Sequence, residues 1–452
     1  MSDCDVLIVG AGPGGYVCAL RAAQLGLKVV IVERADVGGT CLNVGCIPSK
    51  AIIHAADTFA AAQGNARLGI TTEAARIDLA TTMAWKDGVV HRLTGGVATL
   101  LDHAGVRRIA GEAQIVDGKT VRVADETITT ANLVLATGSE PVALPQLPFG
   151  GRVLSSTDAL TLTSVPERLV VVGAGYIGLE LGTAYRKLGT EVTVVEVRPR
   201  ILPQYDERLT RPVSARLKAL GVTVLLGASA GELTDDGLVV GGRDHDETVL
   251  PADAVLVTVG RRPVTDELAG LHLAMDGRAV HVDDQCRTSM RAVFAIGDVT
   301  GEPMLAHRAM AQGTMVAEVI AGMPSTWDHR VVPEVCFTDP EIVKVGMSPG
   351  EAEAAGVDHV VGRFMLGANG RALSLDRDDG FVRVVARRGD HLVLGLQAVG
   401  AGVSELAAAF TTTLEMGSVL EDIAATVHAH PSVSEAVQEA ALAAMGRAIH
   451  RT

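Results

Sequence analysis

Two cysteines in the segment GGTCLNVGCIPSK (residues 38–50) are the residues best placed for chemistry. Cys41 and Cys46 are five positions apart, and in a regular α-helix this spacing separates their Cα atoms by roughly 8–9 Å. A disulfide needs a separation below about 7 Å, so the helix must be distorted if the pair is to form one. Gly45 lies between the cysteines and permits such a distortion. A disulfide held in a strained segment is of the reducible, catalytic kind.

Two other interpretations of this cysteine pair stay open from the residues alone. A zinc half-site would need a second pair of ligands at similar spacing, and the sequence offers none. The two cysteines could also be unrelated buried residues. The remaining cysteines have no partner by spacing and are predicted to be core or incidental residues: Cys4, Cys18, Cys286 and Cys336.

An internal repeat predicts the elements that hold this segment. Residues 5–33 (DVLIVGAGPGGYVCALRAAQLGLKVVIVE) and 168–196 (RLVVVGAGYIGLELGTAYRKLGTEVTVVE) share one pattern. Each reads as an apolar strand, a GxGxxG turn, an amphipathic helix closed by glycine, and a second strand ending in glutamate. Two such units predict two dinucleotide-binding domains of the Rossmann kind.

The glycines and the terminal glutamate of each repeat are the candidate nucleotide ligands. The glycines allow a pyrophosphate to approach a helix N-terminus, and the glutamate can accept hydrogen bonds from the adenosine ribose. The alternative is tight helix–strand packing without a ligand. A carboxylate at Glu196 would repel a 2′-phosphate, so the second site is predicted to prefer NAD over NADP. The two sets are Gly10, Gly12, Gly15 and Glu33, and Gly173, Gly175, Gly178 and Glu196.

The cysteine segment resembles the active-site signature of the pyridine nucleotide–disulfide oxidoreductases, and the resemblance extends over essentially the whole chain. It implies FAD and NAD as cofactors and a redox-active disulfide, with Cys41 exchanging with the substrate and Cys46 facing the flavin. The segment NVGCIPSK is most similar to the branch of this family that oxidises dihydrolipoamide to lipoamide with NAD⁺. AWKDGVVHRLTGGV and GEPMLAHRAMAQG further suggest a branched-chain 2-oxoacid dehydrogenase complex.

The same resemblance assigns residues around the flavin. Lys50 would lie beside the ring, where a cation stabilises negative charge on the reduced flavin, and Glu180 would be its ion-pair partner. Without the family, Lys50 reads as a solvated surface residue. Asp298 would bind the ribityl chain. Further implied contacts are Gly39, Thr40, Ala113, Thr137, Gly138, Ala306 and His307 for FAD, and Gly260 for NAD.

HAHPSVSEA (residues 428–436) resembles the C-terminal motif of the family. His430 corresponds to the catalytic base and Glu435 to the carboxylate that orients it. A thiol with a pKa of about 8.5 must lose its proton to attack a disulfide, and an imidazole held by a carboxylate can accept that proton. A lone histidine here would usually be a surface residue, and His428 is given that interpretation.

Charge and composition bear on the partners. A net charge of −14 and an aromatic content of 3% argue against nucleic-acid binding. No apolar stretch of 18 residues is free of charges, and the N-terminus enters a strand almost at once, so we expect a cytoplasmic protein without a membrane span. The resemblance implies a homodimer whose partner is the lipoyl domain of an acyltransferase, or the carrier protein of glycine cleavage.

Two other functions compete with this interpretation. A glutathione-type reductase usually reads PKK where this chain reads PSK, and it has basic residues where this chain has Glu196. A non-catalytic structural subunit would need none of the cysteines, Lys50 or His430. No metal site is expected.

The predicted fold class is α/β, with two Rossmann-like domains and a C-terminal α+β dimerisation domain. Apolar strands at residues 131–141 and 252–263 follow the two repeats, and 293–301 reads as a strand with an acidic turn. The predicted domains are residues 1–142 (FAD-binding), 143–263 (NAD-binding), 264–330 (completing the FAD domain) and 331–452 (dimerisation).

Overall fold

A computed structural model describes residues 2–242 and 245–450 of the chain. Two units make up the structure, Met1–Val165 with Val259–Asp328, and Pro166–Thr258 with His329–Thr452. Each unit is therefore built from two separate stretches of sequence. No helix within the described ranges is long and apolar enough to cross a membrane.

The first stretch of the first unit opens with the predicted strand–turn–helix–strand repeat. Its strands are β1 (Cys4–Val9), β2 (Val29–Glu33), β3 (Arg107–Ala110), β4 (Ala113–Asp117), β5 (Thr120–Val123), β6 (Glu126–Leu135), β7 (Ser139–Pro141) and β8 (Val153–Leu154). Its helices are α1 (Pro13–Gln24), α2 (Gly39–Val44), α3 (Cys46–Ala62), α4 (Leu79–His103) and α5 (Ser156–Ala159). Strands β3, β2, β1 and β6 lie side by side in parallel, and β4 and β5 extend this sheet with antiparallel pairing.

The second repeat opens the second unit and forms the same arrangement. Its strands are β9 (Arg168–Val172), β10 (Glu191–Glu196), β11 (Thr223–Leu226), β12 (Ala228–Leu233), β13 (Leu238–Gly242), β14 (His245–Leu250) and β15 (Ala254–Val257), and its helices are α6 (Tyr176–Lys187) and α7 (Glu207–Ala219). Strands β11, β10, β9 and β15 pair in parallel. Most residues of β9, β10 and β15 are buried, as expected for parallel strands covered on both faces.

The chain then returns to the first unit. This stretch contains β16 (Arg261–Pro263), β17 (Met275–Asp276), β18 (Ala279–Val280), β19 (Val293–Ala295) and α8 (Ala306–Ile320), with 3₁₀ turns at Asp266–Leu271 and Gly297–Thr300. Strand β19 pairs in parallel with β6, and β16 pairs with β7. Helix α8 packs so closely on α1 that a Cβ at Gly313 would lie 2.4 Å from the Gly14 carbonyl oxygen. Residues 293–301 thus form the predicted strand and acidic turn.

The last stretch is an antiparallel sheet with helices, as the α+β prediction requires. Its strands are β20 (Glu334–Cys336), β21 (Glu341–Gly346), β22 (His359–Met365), β23 (Phe381–Arg387) and β24 (Val393–Gly400). Its helices are α9 (Pro349–Ala354), α10 (Gly370–Ser374), α11 (Ala407–Glu415), α12 (Leu420–Ala425) and α13 (Glu435–Ala444). The sheet order is β20-β21-β24-β23-β22, and α13 packs on β22 and β23 around an apolar core.

Candidate active site

The first glycine-rich turn joins β1 to α1. Gly10 has a φ of 103°, and a Cβ at Gly15 would lie 1.9 Å from the Gly10 carbonyl oxygen, so both positions require glycine. No side chain caps the N-terminus of α1, and no described atom lies within 4 Å of a Cβ built on Gly12. The first N–H groups of the helix and the open space beside Gly12 fit the pyrophosphate of a dinucleotide.

Glu33 closes this turn from the end of β2. Its carboxylate accepts hydrogen bonds from the backbone N–H groups of Ala11 (2.7 Å) and Ala35 (2.9 Å). Each carboxylate oxygen has a second lone pair, so these bonds leave acceptor capacity for a ribose hydroxyl. Glu33 therefore orders the turn as well as being available to a nucleotide, a role that the sequence interpretation did not include.

The second turn repeats this geometry. Gly173 has a φ of 102°, and a Cβ at Gly178 would lie 2.4 Å from the Gly173 carbonyl oxygen, whereas no described atom lies within 4 Å of a Cβ on Gly175. The buried carboxylate of Glu196 accepts hydrogen bonds from the N–H groups of Ala174 (2.7 Å) and Arg198 (2.8 Å). The structure therefore brings together the predicted second nucleotide set, except for Gly260, which lies in the other unit.

The predicted FAD contacts gather around the first turn and the returning stretch. A Cβ at Gly39 would lie 2.6 Å from the Cα of Gly12, which places the start of α2 against the glycine-rich turn. Ala113 is the first residue of β4 and closely follows Ala110, the β3 residue that pairs with Glu33. Ala306 begins α8, whose N-terminus also lacks a side-chain cap.

Asp298 lies in a hydrogen-bonded cluster with the turn after β6. The Ser139 hydroxyl donates to its carboxylate at 2.6 Å, and the Arg261 guanidinium donates to that hydroxyl at 2.8 Å. Thr137 donates to the Val264 carbonyl at 2.7 Å in the same turn. The structure thus brings Asp298 next to Thr137 and Gly138, as the FAD assignment requires. Ser139 and Arg261 are additional members of this cluster.

The cysteine pair lies at a break between two helices, as its spacing predicted. Helix α2 ends at Val44 and α3 begins at Cys46, with non-helical backbone at Gly45 (φ −143°, ψ −110°). A Cβ at Gly45 would lie 2.8 Å from the carbonyl oxygen of Thr40, so the break requires glycine. The prediction of a distortion at Gly45 is confirmed.

The side chains of Cys41 and Cys46 interact with each other. A hydrogen bond with Cys46 raises the pKa of Cys41, and burial and the negative charge of a Cys46 thiolate raise it further. The Lys50 ammonium acts in the opposite direction. Apart from Lys50, these surroundings oppose ionisation of the Cys41 thiol. Cys4, Cys18, Cys286 and Cys336 are buried, in agreement with their assignment to the core.

Lys50 and Glu180 lie in different units, so their ion pair stays a prediction. Lys50 follows Cys46 by one turn of α3, which places both on one helix face. Glu180 is buried in α6 and accepts a hydrogen bond from the Phe337 backbone N–H at 2.8 Å. That backbone contact orients the carboxylate, and no pattern in the sequence predicts it.

His430 and Glu435 form the predicted pair. Nδ1 of His430 lies 2.8 Å from Oε1 of Glu435, and Oε2 accepts a hydrogen bond from the Ser432 backbone N–H at 2.8 Å. The Ser432 bond, followed by the bond with His430, lowers the pKa of Glu435, which keeps the carboxylate ionised. An ionised carboxylate at Nδ1 holds a proton on that nitrogen and leaves Nε2 as the acceptor.

Two further histidines of the C-terminal stretch have other hydrogen-bond partners. His428 is exposed and its Nδ1 bonds the Thr426 carbonyl at 2.9 Å, which agrees with the surface interpretation. His450 pairs with Glu439, one turn after Glu435 on α13, at 2.7 Å. No spacing pattern in the sequence predicts this second histidine–glutamate pair. Among the described residues, no cluster of three or more His, Cys, Asp or Glu could hold a metal ion.

Comparison with known proteins places the chain in one family over most of its length. Residues 4–313 match the pyridine nucleotide-disulphide oxidoreductase family, and residues 332–441 match the dimerisation domain of that family. Dihydrolipoyl dehydrogenase of Pseudomonas aeruginosa is 58% identical, with 99% of this chain and 98% of the relative covered. Dihydrolipoyl dehydrogenase of Geobacillus stearothermophilus is 46% identical, with 99% and 97% covered.

Solved structures agree with this assignment. LpdA from Mycobacterium tuberculosis matches with a TM-score of 0.89 and 27% identity, over 97% of this chain and 99% of that chain. The HOCl-induced flavoprotein disulfide reductase RclA from Escherichia coli matches with a TM-score of 0.87 and 25% identity, over the same shares of the two chains.

The fold and the paired thiols define a flavoprotein disulfide oxidoreductase with two nucleotide-binding modules. The chain belongs to the pyridine nucleotide-disulphide oxidoreductase family and, within it, to the dihydrolipoyl dehydrogenases. FAD and NAD are its cofactors, and both glycine-rich turns fit a dinucleotide. The matched dimerisation domain supports a homodimer.

Proposed function

We propose that the chain performs the dihydrolipoyl dehydrogenase reaction through Cys41, Cys46 and His430. The reaction oxidises dihydrolipoamide to lipoamide and reduces NAD⁺ to NADH. The observation that carries the proposal is the interacting cysteine pair at the helix break, with Lys50 one turn further along α3. Relatives at 46–58% identity favour this reaction over that of a glutathione-type reductase. The array of paired thiols, histidine and carboxylate argues against a purely structural subunit.

The residues supply the thiol chemistry in two steps. Nε2 of His430 accepts a proton from one substrate thiol, and the thiolate attacks the sulfur of Cys41, so that the disulfide breaks and Cys46 leaves as a thiolate. The second substrate thiol then attacks the mixed disulfide, which releases lipoamide and leaves Cys41 as a thiol. FAD, when bound, would supply the two-electron acceptor for the dithiol and the hydride donor for NAD⁺. Lys50 would stabilise negative charge beside the flavin.

The domain limits and the remaining ligand roles belong to the same proposal. We infer an FAD domain of residues 1–142 completed by 264–330, an NAD domain of 143–263 and a dimerisation domain of 331–452. The parallel pairing of β19 with β6 supports the completion of the first domain by the returning stretch. Gly260 would contact NAD, and Ala113, Thr137, Asp298 and Ala306 would contact FAD.

The partner would be a protein that bears a lipoyl group, either an acyltransferase of a 2-oxoacid dehydrogenase complex or the carrier of glycine cleavage. A branched-chain 2-oxoacid complex is the specific proposal. We also propose a cytoplasmic location, because a catalyst that cycles between dithiol and disulfide suits a compartment that keeps other thiols reduced.

Substitution of each active-site cysteine by serine should separate the roles of Cys41 and Cys46. Anaerobic two-electron reduction of the wild-type protein should produce a long-wavelength absorbance band from a thiolate beside the flavin. Cys41→Ser should retain such a band because the Cys46 thiolate is intact, whereas Cys46→Ser should abolish it. Both variants should lose turnover of dihydrolipoamide.

Absorbance spectroscopy of the FAD-loaded proteins measures these bands, and FAD content per chain shows that each variant has folded. Cys4→Ser is the matched control, because the Cys4 thiol is buried in β1, where it donates to the Thr129 carbonyl at 3.7 Å and has no contact with the active-site pair. It should keep both the band and the turnover. A band retained by Cys46→Ser and lost in Cys41→Ser would reverse the two assignments.

Glu196 should set the preference for NAD. We expect kcat/KM for NAD to exceed that for NADP by about tenfold or more, because the buried carboxylate repels a 2′-phosphate. Glu196→Gln removes the charge but keeps an oxygen that can accept one of the two backbone N–H bonds, so the ratio should fall while NAD turnover persists. Glu33→Gln makes the same change in the first turn and should leave the ratio unchanged. An unaltered ratio in Glu196→Gln would show that Glu196 does not reach the ribose.

A further inference from the structure

Asn369 is a buried amide that connects two distant parts of the second unit. It precedes α10 and retains 3% of its surface exposure. Its side-chain oxygen accepts a hydrogen bond from the Ala372 backbone N–H at 3.0 Å and so caps that helix. Its side-chain nitrogen donates to the Ser432 carbonyl, 63 residues further along, also at 3.0 Å.

The Ser432 bond leads directly to the proposed base. The backbone N–H of Ser432 donates to Oε2 of Glu435, and Oε1 of Glu435 lies 2.8 Å from Nδ1 of His430. Asn369 therefore holds Ser432, and Ser432 holds the carboxylate of Glu435. That carboxylate in turn orients the imidazole of His430. Within its own chain the His430 side chain is 80% exposed, so few atoms of that chain hold it directly. Among the contacts of that chain, this series of hydrogen bonds sets the orientation of the imidazole.

The capping role alone does not explain asparagine at this position. Serine and aspartate cap helix N-termini as well as asparagine does, yet neither has an amide nitrogen that can donate to the Ser432 carbonyl. A buried amide nitrogen is costly unless it is hydrogen-bonded, and here its acceptor is the Ser432 carbonyl. The contact with Ser432, and not the cap, therefore explains why asparagine is the residue at position 369.

We propose that Asn369 is a positioning residue for the histidine base: it orients the 430–435 loop so that Glu435 holds His430 in a reactive orientation. This inference rests on the proposed role of His430 as the base. Loss of the amide donor should let the Ser432 peptide rotate, and the imidazole should then spend less time aimed at the substrate thiol.

Asn369→Ser tests the proposal, because serine keeps the cap and is too short to reach Ser432. In the FAD-loaded protein, the rate of flavin reduction at saturating dihydrolipoamide should fall about tenfold, as for other residues that orient a functional group. The apparent KM for dihydrolipoamide should change little. Electron transfer from NADH to ferricyanide, which bypasses the thiol chemistry, should stay within about twofold of wild type.

Asn369→Asp is the second variant, since it also keeps the cap and loses the donor, and it should show a similar loss. Asn65→Ser is the matched control: Asn65 caps the 3₁₀ turn Ala66–Leu68 through the N–H groups of Arg67 and Leu68. It should behave as wild type. In the double variant Asn369→Ser/His430→Gln, the rate should equal that of His430→Gln alone, because the two residues act through one group.

Four results would overturn the inference. Wild-type rates in both Asn369 variants would show that the Ser432 contact does not position the base. An equal loss of ferricyanide reduction would show general structural damage, and an additive loss in the double variant would show that Asn369 acts independently of His430. A wild-type rate in His430→Gln would show that His430 is not the base. That result would contradict both the proposed mechanism and this inference.

Discussion

His430→Gln should lower the rate of dihydrolipoamide oxidation by about 10²–10⁴-fold, the usual contribution of a general base. The substrate thiol has to lose its proton before it can attack the Cys41 sulfur, and a glutamine amide cannot accept that proton. Nε2 of His430 is available because the carboxylate of Glu435 lies 2.8 Å from Nδ1. Stopped-flow reduction of the bound flavin by dihydrolipoamide measures the step directly.

His428→Gln is the matched control for this variant. His428 is two residues away and also exposed, but its Nδ1 contacts the Thr426 carbonyl rather than a carboxylate. It should keep the wild-type rate. Reduction of the flavin by NADH should be unchanged in both variants, because hydride transfer needs no thiol deprotonation. A His430→Gln rate within about tenfold of wild type would assign the proton transfer to another group.

The parts of the fold that local geometry requires could be predicted from the sequence. A Cβ at Gly15 or Gly178 would lie 1.9 or 2.4 Å from a backbone oxygen, too close for any side chain, so the glycine pattern predicted the two turns. A disulfide between cysteines five residues apart could not form in a regular helix, and the helix does break at Gly45. The pairing of His430 with Glu435 followed from the resemblance of one short segment to a family motif.

Contacts between residues far apart in sequence could not be predicted in this way. Asn369 and Ser432 are 63 residues apart, and the short segment around Asn369 has no periodicity that points to the base. Glu180 reaches the Phe337 backbone across 157 residues. Such contacts depend on how α13 and α6 pack in the folded unit, which hydrophobic patterning within one element does not specify.

The glutamates of the repeats illustrate the same limit at close range. The sequence predicts Glu33 and Glu196 as ribose ligands, and the structure shows that each accepts two backbone N–H groups from its own turn. A pattern of residue types marks a position as important without separating these two roles. Substitution by glutamine, which retains an acceptor oxygen, is therefore a sharper test than substitution by alanine.

Mixing two inactive variants should restore activity if each active site combines residues from two subunits. His430 and Glu435 lie within the residues that match the dimerisation domain, whereas Cys41 and Cys46 lie within the other match. Near His430 in sequence, Val427 is 94% exposed, and Met416 is 76% exposed, as expected for apolar residues covered by a second subunit. We therefore predict an isologous dimer in which His430 of one subunit serves the cysteines of the other.

The experiment combines Cys46→Ser subunits with His430→Ala subunits under conditions that allow exchange. A heterodimer then has one site with both residues intact and one site with neither. Random mixing makes half of the dimers heterodimeric, so activity should rise from near zero to about a quarter of the wild-type value. Native mass spectrometry confirms the exchange, and mixing Cys46→Ser with Cys41→Ser is the control that should stay inactive, because both changes affect the same cysteine pair. If heterodimers form and no activity returns, His430 serves the disulfide of its own chain.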